Sequence, residues 1–321
     1  MKAMQYQAYG SPARITPAEI ETPHRSPSQM LVKVAASAVN PIDWKLRNGS
    51  LRFLAPIRFP SVPGFDLAGE VLETGARVWK FKAGERVYAC LADRNRGACA
   101  EYAVVEEHLA ARIPDRLNDF EAAAIPLAGM TALQALRDHG GLTSGQRLLI
   151  VGASGGVGHY AVQIGKALGA HVTAVCSGRN ADWVRDLGAD EIIDYTVRSD
   201  FVGERPYDVV LDCIVSASLQ ASEAVMTPRG VYVSTLPTPG LMLRALLSRF
   251  AAGRRVKIVM LDPKGEDLEY LSKLVEAGRL QSRIERVYPL AELAAAHERS
   301  QSGRVQGKIV IDVLGAAAGN P

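Results

Sequence analysis

The 321-residue chain is predicted to have an α/β fold, in which a mostly β domain precedes a six-stranded parallel sheet with helices on both faces. Three observations lead to this prediction. Up to residue 125, short alternating runs are punctuated by prolines. From residue 147 onward, continuous apolar runs alternate with helix-like patterns, as in a doubly covered parallel sheet. Where the first apolar run meets the first helix, four glycines fall within residues 152–158.

The first domain has strand patterns with a period of two residues. They are MLVKVAASAVN (30–40), LAGEVLETG (67–75), ERVYACL (85–91) and CAEYAVVEE (99–107). Helices begin near the end of this domain. Asp119 is expected to cap a short helix that contains residues 121–124. A second helix is expected from about Gly129 to the glycine pair at 140–141.

The second domain alternates strands with helices. The predicted strands are RLLIVG (147–152), HVTAVCS (171–177), EIIDY (191–195), YDVVLDCI (207–214), GVYVSTL (230–236) and VKIVML (256–261). The predicted helices between them are GHYAVQIGKALG (158–169), ADWVRDLG (181–188) and SLQASEAVMT (218–227). Two amphipathic helices follow, and the closing GKIVIDVL (307–314) is expected to rejoin the first domain. The predicted boundaries are 1–125, 126–261 and a return segment over 262–321.

Composition and charge exclude several classes of partner. The formal net charge is +3 and the charges are interspersed, which argues against nucleic acid or membrane as a partner. The most apolar stretch, LMLRALLSRFAAG (241–253), is interrupted by Arg244 and Arg249. The beginning of the chain lacks a signal-peptide pattern, so a cytoplasmic location is expected. The four cysteines form no C-x-x-C pair and are expected to be free.

The glycines of LIVGASGGVGHYA (149–161) are explained best by a bound phosphate. A glycine-rich turn between a parallel strand and its helix brings backbone N–H groups and the positive end of the helix to a pyrophosphate. Gly152 would allow the tight turn and Gly158 the close packing of the helix. We therefore predict a dinucleotide cofactor at a segment that consists of Ser154, Gly155, Gly156 and Val157. The alternative is a tight turn without a ligand.

The end of the second strand favours NADPH over NADH. An NAD-binding domain carries an acidic residue there for the ribose hydroxyls. Here Ser177 and Arg179 follow the strand, and both suit a 2′-phosphate. Alternatively, Arg179 is a solvated loop charge. Tyr195 either covers the adenosine or is a half-buried core residue.

The whole chain resembles the zinc-independent quinone oxidoreductase group of the medium-chain dehydrogenase/reductase superfamily. The motifs that carry this resemblance are VNPIDWKLRNG (39–49), PGFDLAGEV (63–71), GACAEYAVV (97–105), LAGMTALQAL (127–136), VGASGGVG (151–158) and GKIVI (307–311). The resemblance implies a GroES-like catalytic domain and a Rossmann domain. It also implies that Thr131 faces the nicotinamide, and that Leu236, Val259 and Leu261 offer backbone groups to its carboxamide. Thr131 is otherwise a helix-cap hydroxyl.

Zinc-dependent relatives carry a cysteine ligand where this chain has Asn40, and a His-Glu pair where it has Phe65 and Asp66. One carboxylate does not make a zinc site, so no metal is expected. Without a Lewis acid, the substrate must bring its own electrophilicity, as a quinone or an α,β-unsaturated carbonyl does. Asn40 and Lys45 are the candidate catalytic donors to the developing oxyanion. Many relatives carry tyrosine where Lys45 stands, so a plain surface cation is the alternative for Lys45, as a turn cap is for Asn40.

The sequence therefore predicts an NADPH-dependent reductase of quinones or enones. One alternative is an enoyl-thioester reductase, for which the basic segment SRFAAGRRVK (248–257) would bind the phosphates of the carrier. A second alternative is an NADPH-binding protein with a structural or regulatory task. A homodimer stays open, with GVYVSTL (230–236) as the strand that would pair with a second subunit.

Overall fold

The computed structural model describes residues 1–91, 96–198, 201, 203, 205–214, 219–249 and 253–315. The chain divides into two compact units. Unit 1 consists of Met1–Leu127, Pro263–Glu276 and Gln281–Pro321. Unit 2 consists of Ala128–Asp262 and Ala277–Leu280.

The elements are numbered along the chain. The strands are β1 (Lys2–Gln5), β2 (Thr16–Glu19), β3 (Gln29–Val39), β4 (Asp66–Thr74), β5 (Arg86–Cys90), β6 (Tyr102–Glu106), β7 (Ala110–Arg112), β8 (Arg147–Val151), β9 (His171–Cys176), β10 (Glu191–Asp194), β11 (Tyr207–Asp212), β12 (Met226–Ser234), β13 (Arg255–Ile258), β14 (Ile284–Pro289) and β15 (Lys308–Asp312). The helices are α1 (Pro41–Arg47), α2 (Asp119–Ala124), α3 (Pro126–Gln134), α4 (Gly156–Ala167), α5 (Ala181–Asp186), α6 (Leu219–Ala224), α7 (Pro239–Ser248), α8 (Gly265–Glu276) and α9 (Leu293–Gln301).

Unit 1 is built on a mostly antiparallel sheet. Among the described residues its order is β14-β15-β3-β4-β5-β7, with β6 also paired to β3. The buried residues of β3 and β6 alternate with more exposed ones, which explains why period-2 patterns predicted these strands. Near the end of the chain, β15 pairs antiparallel with β3, so it returns to the first sheet. The pattern analysis missed β1, β2, β7, β14 and the short helix α1.

The short helix α2 begins one residue earlier than predicted. Asn118, and not Asp119, is its cap. The Asn118 side chain accepts a hydrogen bond from Glu121 N at 2.9 Å, and Glu121 Oε2 accepts one from Asn118 N at 3.1 Å. This reciprocal capping box satisfies two backbone donors at once, which a cap at Asp119 would not do.

Unit 2 is a parallel sheet, and this confirms the predicted fold class. In the described part of the chain, six strands run in the order β10-β9-β8-β11-β12-β13, with all neighbours parallel. Helices α4 and α5 connect the strands on one side of the switch point between β8 and β11, and α6 and α7 connect those on the other. Ligands bind at such a switch point, at the carboxyl ends of the strands.

Several predicted boundaries in unit 2 are wrong. α3 begins at Pro126 rather than near Gly129, and Ala135–His139 continues it as a π-helical segment. β12 begins at Met226, and β13 ends at Ile258 rather than near Leu261. β12 lies between β11 and β13, so both of its edges are already paired. Within the described residues the edge strands of this sheet are β10 and β13, and an interior strand such as β12 has no backbone groups left for a second subunit. Of the basic segment predicted over 248–257, residues 250–252 lie outside the described residues.

Candidate functional site

The glycine-rich turn joins the carboxyl end of β8 to α4. Gly152 adopts φ +83°, which side chains disfavour, and a Cβ there would lie 2.8 Å from Ile214 Cγ2. At Gly158 a Cβ would overlap the carbonyl oxygen of Gly152. These two glycines are therefore needed by the fold itself.

Gly155 is different, because the protein around it leaves room for a side chain. Its φ is −86°, and a Cβ would meet only Gly152 O, at an ordinary 3.4 Å. Gly155 caps α4, whose first residues are Gly156 and Val157. The first amides of a helix have no acceptor within it and carry partial positive charge. The open space at Gly155 thus lies where an anion fits, and a pyrophosphate matches this turn.

A polar cluster follows β9. Asn180 Nδ2 lies 3.1 Å from both Ser154 Oγ and Ser177 Oγ, so it links the glycine turn to the strand end. Ser177 and Asn180 are buried. Arg179 is exposed and pairs with no carboxylate in the described part of the chain. Tyr195 is 56% exposed, so it is not a core residue. The analysis of the sequence missed Asn180, although it lies only three residues after Ser177.

A carboxylate that was not predicted lies beside this cluster. Asp194 ends β10 opposite Cys176, and its Oδ2 faces Gly178. Hydrogen bonds from Thr196 Oγ1 at 2.7 Å and Thr196 N at 2.9 Å lower the pKa of Asp194. The carboxylate therefore lies beside Gly178, between Ser177 and Arg179 in the chain.

The predicted nicotinamide residues of unit 2 follow β12 and β13. Leu236 N donates to Ser234 Oγ at 3.2 Å, and Val259 N donates to Ser234 O at 2.9 Å. Leu261 precedes Asp262, whose backbone is held by Gln134. Gln134 Nε2 donates to Asp262 O at 2.7 Å, and Asp262 N donates to Gln134 Oε1 at 3.1 Å.

Gln134 thus connects α3 to the segment after β13. Thr131 lies one turn before Gln134 in α3 and is 7% exposed. The structure therefore places the helix of Thr131 beside the segment that contains Val259 and Leu261. The analysis of the sequence missed Gln134 because it lies inside a predicted helix, where nothing in the local pattern marks it.

Unit 1 contains a buried polar cluster at the start of α1, consisting of Asn40, Asp43, Asp66 and Lys308. Lys308 Nζ donates to Asn40 Oδ1 at 2.5 Å and lies 3.4 Å from Asp66 Oδ2. Asn40 Nδ2 donates to Asp66 Oδ2 at 2.8 Å. An ammonium only donates and a carboxylate only accepts, so these partners fix the orientation of the Asn40 amide.

The backbone completes this buried polar cluster. Leu127 N donates to Asp66 Oδ1 at 2.8 Å, and Asn40 N donates to Asp43 Oδ2 at 2.7 Å. Burial raises the pKa of Asp66, and the ammonium of Lys308 opposes that rise. Burial also raises the pKa of Asp43 to about 7. Because burial penalises charge, the Lys308 ammonium is what makes a charged Asp66 tolerable here.

Lys45 lies outside the buried polar cluster. It is half-buried, and its Nζ lies 5.5 Å from the centroid of the Trp44 ring. Burial lowers the pKa of Lys45, and no carboxylate pairs with it among the described residues. Phe53, which follows α1 in the chain, is 87% exposed.

The donor set of the buried polar cluster is unlike that of a metal site. No group of three or more His, Cys, Asp or Glu residues within the described ranges is arranged to hold a metal ion. Phe65 is buried and offers no ligand atom. The cysteines are free thiols, as predicted. Burial raises the pKa of the Cys90 and Cys99 thiols, which keeps both protonated.

Comparison with known proteins places the chain in a family. Residues 26–115 match the alcohol dehydrogenase GroES-like domain, and residues 187–311 match a family described as zinc-binding dehydrogenase. The chain is 36% identical to the chloroplast envelope quinone oxidoreductase homolog of Arabidopsis thaliana, over 97% of this chain and 98% of the relative. The chain belongs to the zinc-independent quinone oxidoreductase group of the medium-chain dehydrogenase/reductase superfamily. It is therefore an oxidoreductase.

Further relatives and solved structures are similar to this chain. The human mitochondrial NAD(P)H oxidoreductase RTN4IP1 is 33% identical over 90% of this chain and 82% of its own length. The quinone oxidoreductase of Coxiella burnetii superposes with a TM-score of 0.87, at 33% identity, over 98% of this chain and 99% of that one. The Escherichia coli quinone oxidoreductase, solved with NADPH, has a TM-score of 0.82 at 24% identity, covers 97% of this chain and all of its own, and shows the shared fold.

No helix in the described part of the chain is both long and apolar enough to span a membrane. By their names, the Arabidopsis relative belongs to the chloroplast envelope and the human relative is mitochondrial. The expected cytoplasmic location of this member of the family stays a prediction.

Proposed function

We propose that the protein is an NADPH-dependent reductase of quinones or α,β-unsaturated carbonyls that works without a metal ion. The observation that carries this proposal is the Lys308 ammonium, which is buried against Asn40 and Asp66. A divalent cation at these residues would lie next to a fixed positive charge in a medium of low dielectric constant, at high energetic cost. An acceptor that carries its own electrophilic carbon needs no such ion.

A nicotinamide cofactor is supported by the glycine turn and by the NAD(P)H oxidoreductase relatives. Gly155, Gly156 and Val157 would hold the pyrophosphate, and Ser154, Ser177 and Arg179 would hold the 2′-phosphate. Tyr195 would cover the adenosine. Leu236, Val259 and Leu261 would bind the carboxamide through backbone groups, beside Thr131. Bound NADPH supplies the hydride.

Two side chains of unit 1 would stabilise the charge that develops on the acceptor oxygen. The Asn40 amide is held by Lys308 and Asp66, and its Nδ2 carries a second N–H for an oxyanion. Because its orientation is fixed before substrate binds, the donor needs no reorganisation during the reaction. Lys45 would provide the proton, and its lowered pKa makes it a better acid than an exposed lysine.

The test measures oxidation of NADPH by a panel of quinones and enals, with NADH in parallel and with metal content determined by mass spectrometry. We expect turnover with NADPH in metal-free protein, and no loss of rate after treatment with a chelator. Asn40→Ala should lower kcat by about 100-fold, as for the loss of an oxyanion donor. A rate that requires zinc, or the absence of NADPH binding, would contradict the proposal.

A matched pair of variants separates a catalytic Lys45 from a surface cation. Lys45→Met removes the proton, whereas Lys45→Arg keeps the charge but cannot release a proton near neutral pH. If Lys45 is the proton donor, both variants should lower kcat by about 100-fold or more while the KM for NADPH stays unchanged. Equal rates for the wild type and both variants would assign Lys45 to the surface.

A further inference from the structure

The buried polar cluster of unit 1 contains more acidic groups than basic ones. Its members Asn40, Asp43, Asp66 and Lys308 are at most 3% exposed. They bring together two carboxyl groups and one ammonium, because the Asn40 amide carries no charge. Among the described residues, Lys308 forms its ion pair with Asp66. With both carboxyl groups ionised, the buried polar cluster would therefore carry one uncompensated negative charge, which burial disfavours.

The two oxygens of the Asp43 carboxyl group are in different environments. Oδ2 accepts a hydrogen bond from Asn40 N at 2.7 Å. Oδ1 is buried and has no hydrogen-bond partner in the described part of the chain, although the Gly64 amide faces this carboxyl group. Asp66 differs, because donors reach both of its oxygens. A buried carboxylate oxygen without a donor is costly, so Oδ1 of Asp43 is where a proton removes the uncompensated charge.

The other ionisable groups around Asp43 do not supply the missing positive charge. The groups that interact electrostatically with Asp43 are Asp66, Lys308, Tyr6, Cys90 and Cys99. Burial raises the pKa values of the tyrosine and of both thiols, so these three groups stay neutral near pH 7. Burial also raises the pKa of Asp43 to about 7, and the charge of Asp66 adds to the rise. Charge counting and geometry thus agree that Asp43 holds a proton up to neutral pH.

The charge of Asp43 matters because of its contact with Asn40. Asp43 Oδ2 holds the backbone of Asn40, whose side chain is the proposed donor to the oxyanion. A negative charge on Asp43 would repel a second negative charge that develops beside the Asn40 amide, at a place where water does not screen the repulsion. A neutral Asp43 keeps the hydrogen bond to the Asn40 backbone and removes this repulsion.

We infer that Asp43 is a positioning residue of the reduction, which holds the backbone of Asn40 and supports the reaction best while its own carboxyl group is protonated. The inference rests on the proposed function, in which Asn40 stabilises the oxyanion. Asp43 acts through Asn40 and keeps its proton throughout the reaction. The rate of reduction should therefore fall as the pH rises past neutrality, whichever acceptor the enzyme reduces.

The test compares the wild type with Asp43→Asn, whose side chain has the shape of the protonated acid and cannot ionise. We measure kcat with NADPH and a quinone over about pH 5–9, which brackets the titration of Asp43. The kcat of the wild type should fall about tenfold as the pH rises through about 7, the order expected for two charges within about 10 Å in a protein. Asp43→Asn should lack this step, whereas a fall caused by Lys45 would appear in both proteins. Asp43→Ala, which has no acceptor for Asn40 N, should have a lower kcat at every pH.

A second measurement, urea unfolding of the same proteins, needs no turnover. The folded chain keeps the proton on Asp43 up to about pH 7, whereas the unfolded chain loses it near pH about 3.9. Between these values, the free energy of unfolding of the wild type should therefore fall relative to that of Asp43→Asn as the pH rises. The matched control is Asp115→Asn, which removes an exposed carboxyl group of unit 1 and should behave as the wild type in both measurements.

The outcomes distinguish this inference from the proposed function. Equal pH profiles of kcat for the wild type and Asp43→Asn, with turnover of NADPH present, would overturn the inference and leave the proposed function standing. A relative stability that does not change with pH would also overturn it, since Asp43 would then hold no proton at neutral pH. Absence of turnover with every acceptor would overturn the proposed function and the inference together, while the change in relative stability would persist.

Discussion

Replacing Lys308 by Met removes the cation of the buried polar cluster. Asp66 then keeps its hydrogen bonds from Asn40 Nδ2 and Leu127 N but loses its ion pair. Breaking a buried pair by removing one partner costs about 3–5 kcal/mol. Because two donors still reach Asp66, we expect a loss near the lower limit, about 3 kcal/mol in the free energy of unfolding.

The loss should depend on pH in a defined direction. Burial raises the pKa of Asp66, and in the variant the opposing effect of Lys308 is gone, so the pKa rises further. Above this raised pKa the variant buries an unpaired carboxylate. As the pH falls through the raised pKa, Asp66 takes up a proton in the folded variant, whereas in the unfolded chain it does so only near pH about 3.9. The stability deficit is therefore full at high pH and shrinks towards acid.

Urea unfolding at a series of pH values, followed by tryptophan fluorescence, measures this deficit, since Trp44 of unit 1 and Trp183 of unit 2 are both partly buried. Lys273→Met removes an exposed lysine and should change stability by less than about 0.5 kcal/mol. Adding Asp66→Asn to Lys308→Met should recover part of the loss, because no charge then stays buried. A deficit below about 1 kcal/mol, or one that does not change with pH, would refute the reasoning.

Three further predictions test the two units. Gly155→Ala should change the free energy of unfolding by less than about 0.5 kcal/mol but weaken NADPH binding in fluorescence titrations. Gly158→Ala should destabilise the fold by about 1–3 kcal/mol, because its Cβ would overlap backbone atoms. If the two variants had equal effects on binding and on stability, this prediction would be contradicted. Asp194→Asn should raise the ratio of kcat/KM for NADPH to that for NADH, since a carboxylate repels a 2′-phosphate, and an unchanged ratio would place the phosphate elsewhere. Burial and nearby Arg47 lower the pKa of His297 to about 3, so the free energy of unfolding falls as the pH drops below about 6.5, where only the unfolded chain takes up the proton. His297→Asn should reduce this dependence of stability on pH by up to about 1.4 kcal/mol per pH unit in urea titrations. An unchanged dependence would show that the histidine is charged in the folded protein.

The fold was predictable because buried parallel strands leave long apolar runs in the sequence. The runs at β8, β9 and β11 are buried along nearly their whole length, so their signal is strong. Helix α7 was missed because four of its apolar side chains face outward, which removes the usual amphipathic pattern. The cap of α2 was misplaced by one residue because Asn118 and Asp119 are equally good caps by residue type.

The candidate site was predictable only where its residues are close in sequence. The glycine turn and Ser177 fall within one strand–helix–strand unit. Lys308 was missed because it is 268 positions from Asn40, and no local pattern reveals a contact between them. Gln134 and Asp262 are 128 positions apart and present the same difficulty. Such contacts follow from sheet order, which the sequence pattern does not specify.

The place of β15 in the first sheet has a consequence for synthesis on the ribosome. β15 covers the half of β3 that leads to Asn40, and its first residue is Lys308. The strands of unit 2 leave the exit tunnel before it does. Until β15 emerges, the nascent chain has an open edge on β3 and an Asp66 without its cation. The buried polar cluster is therefore assembled late in translation, and a chain that stops before residue 308 should aggregate through that edge.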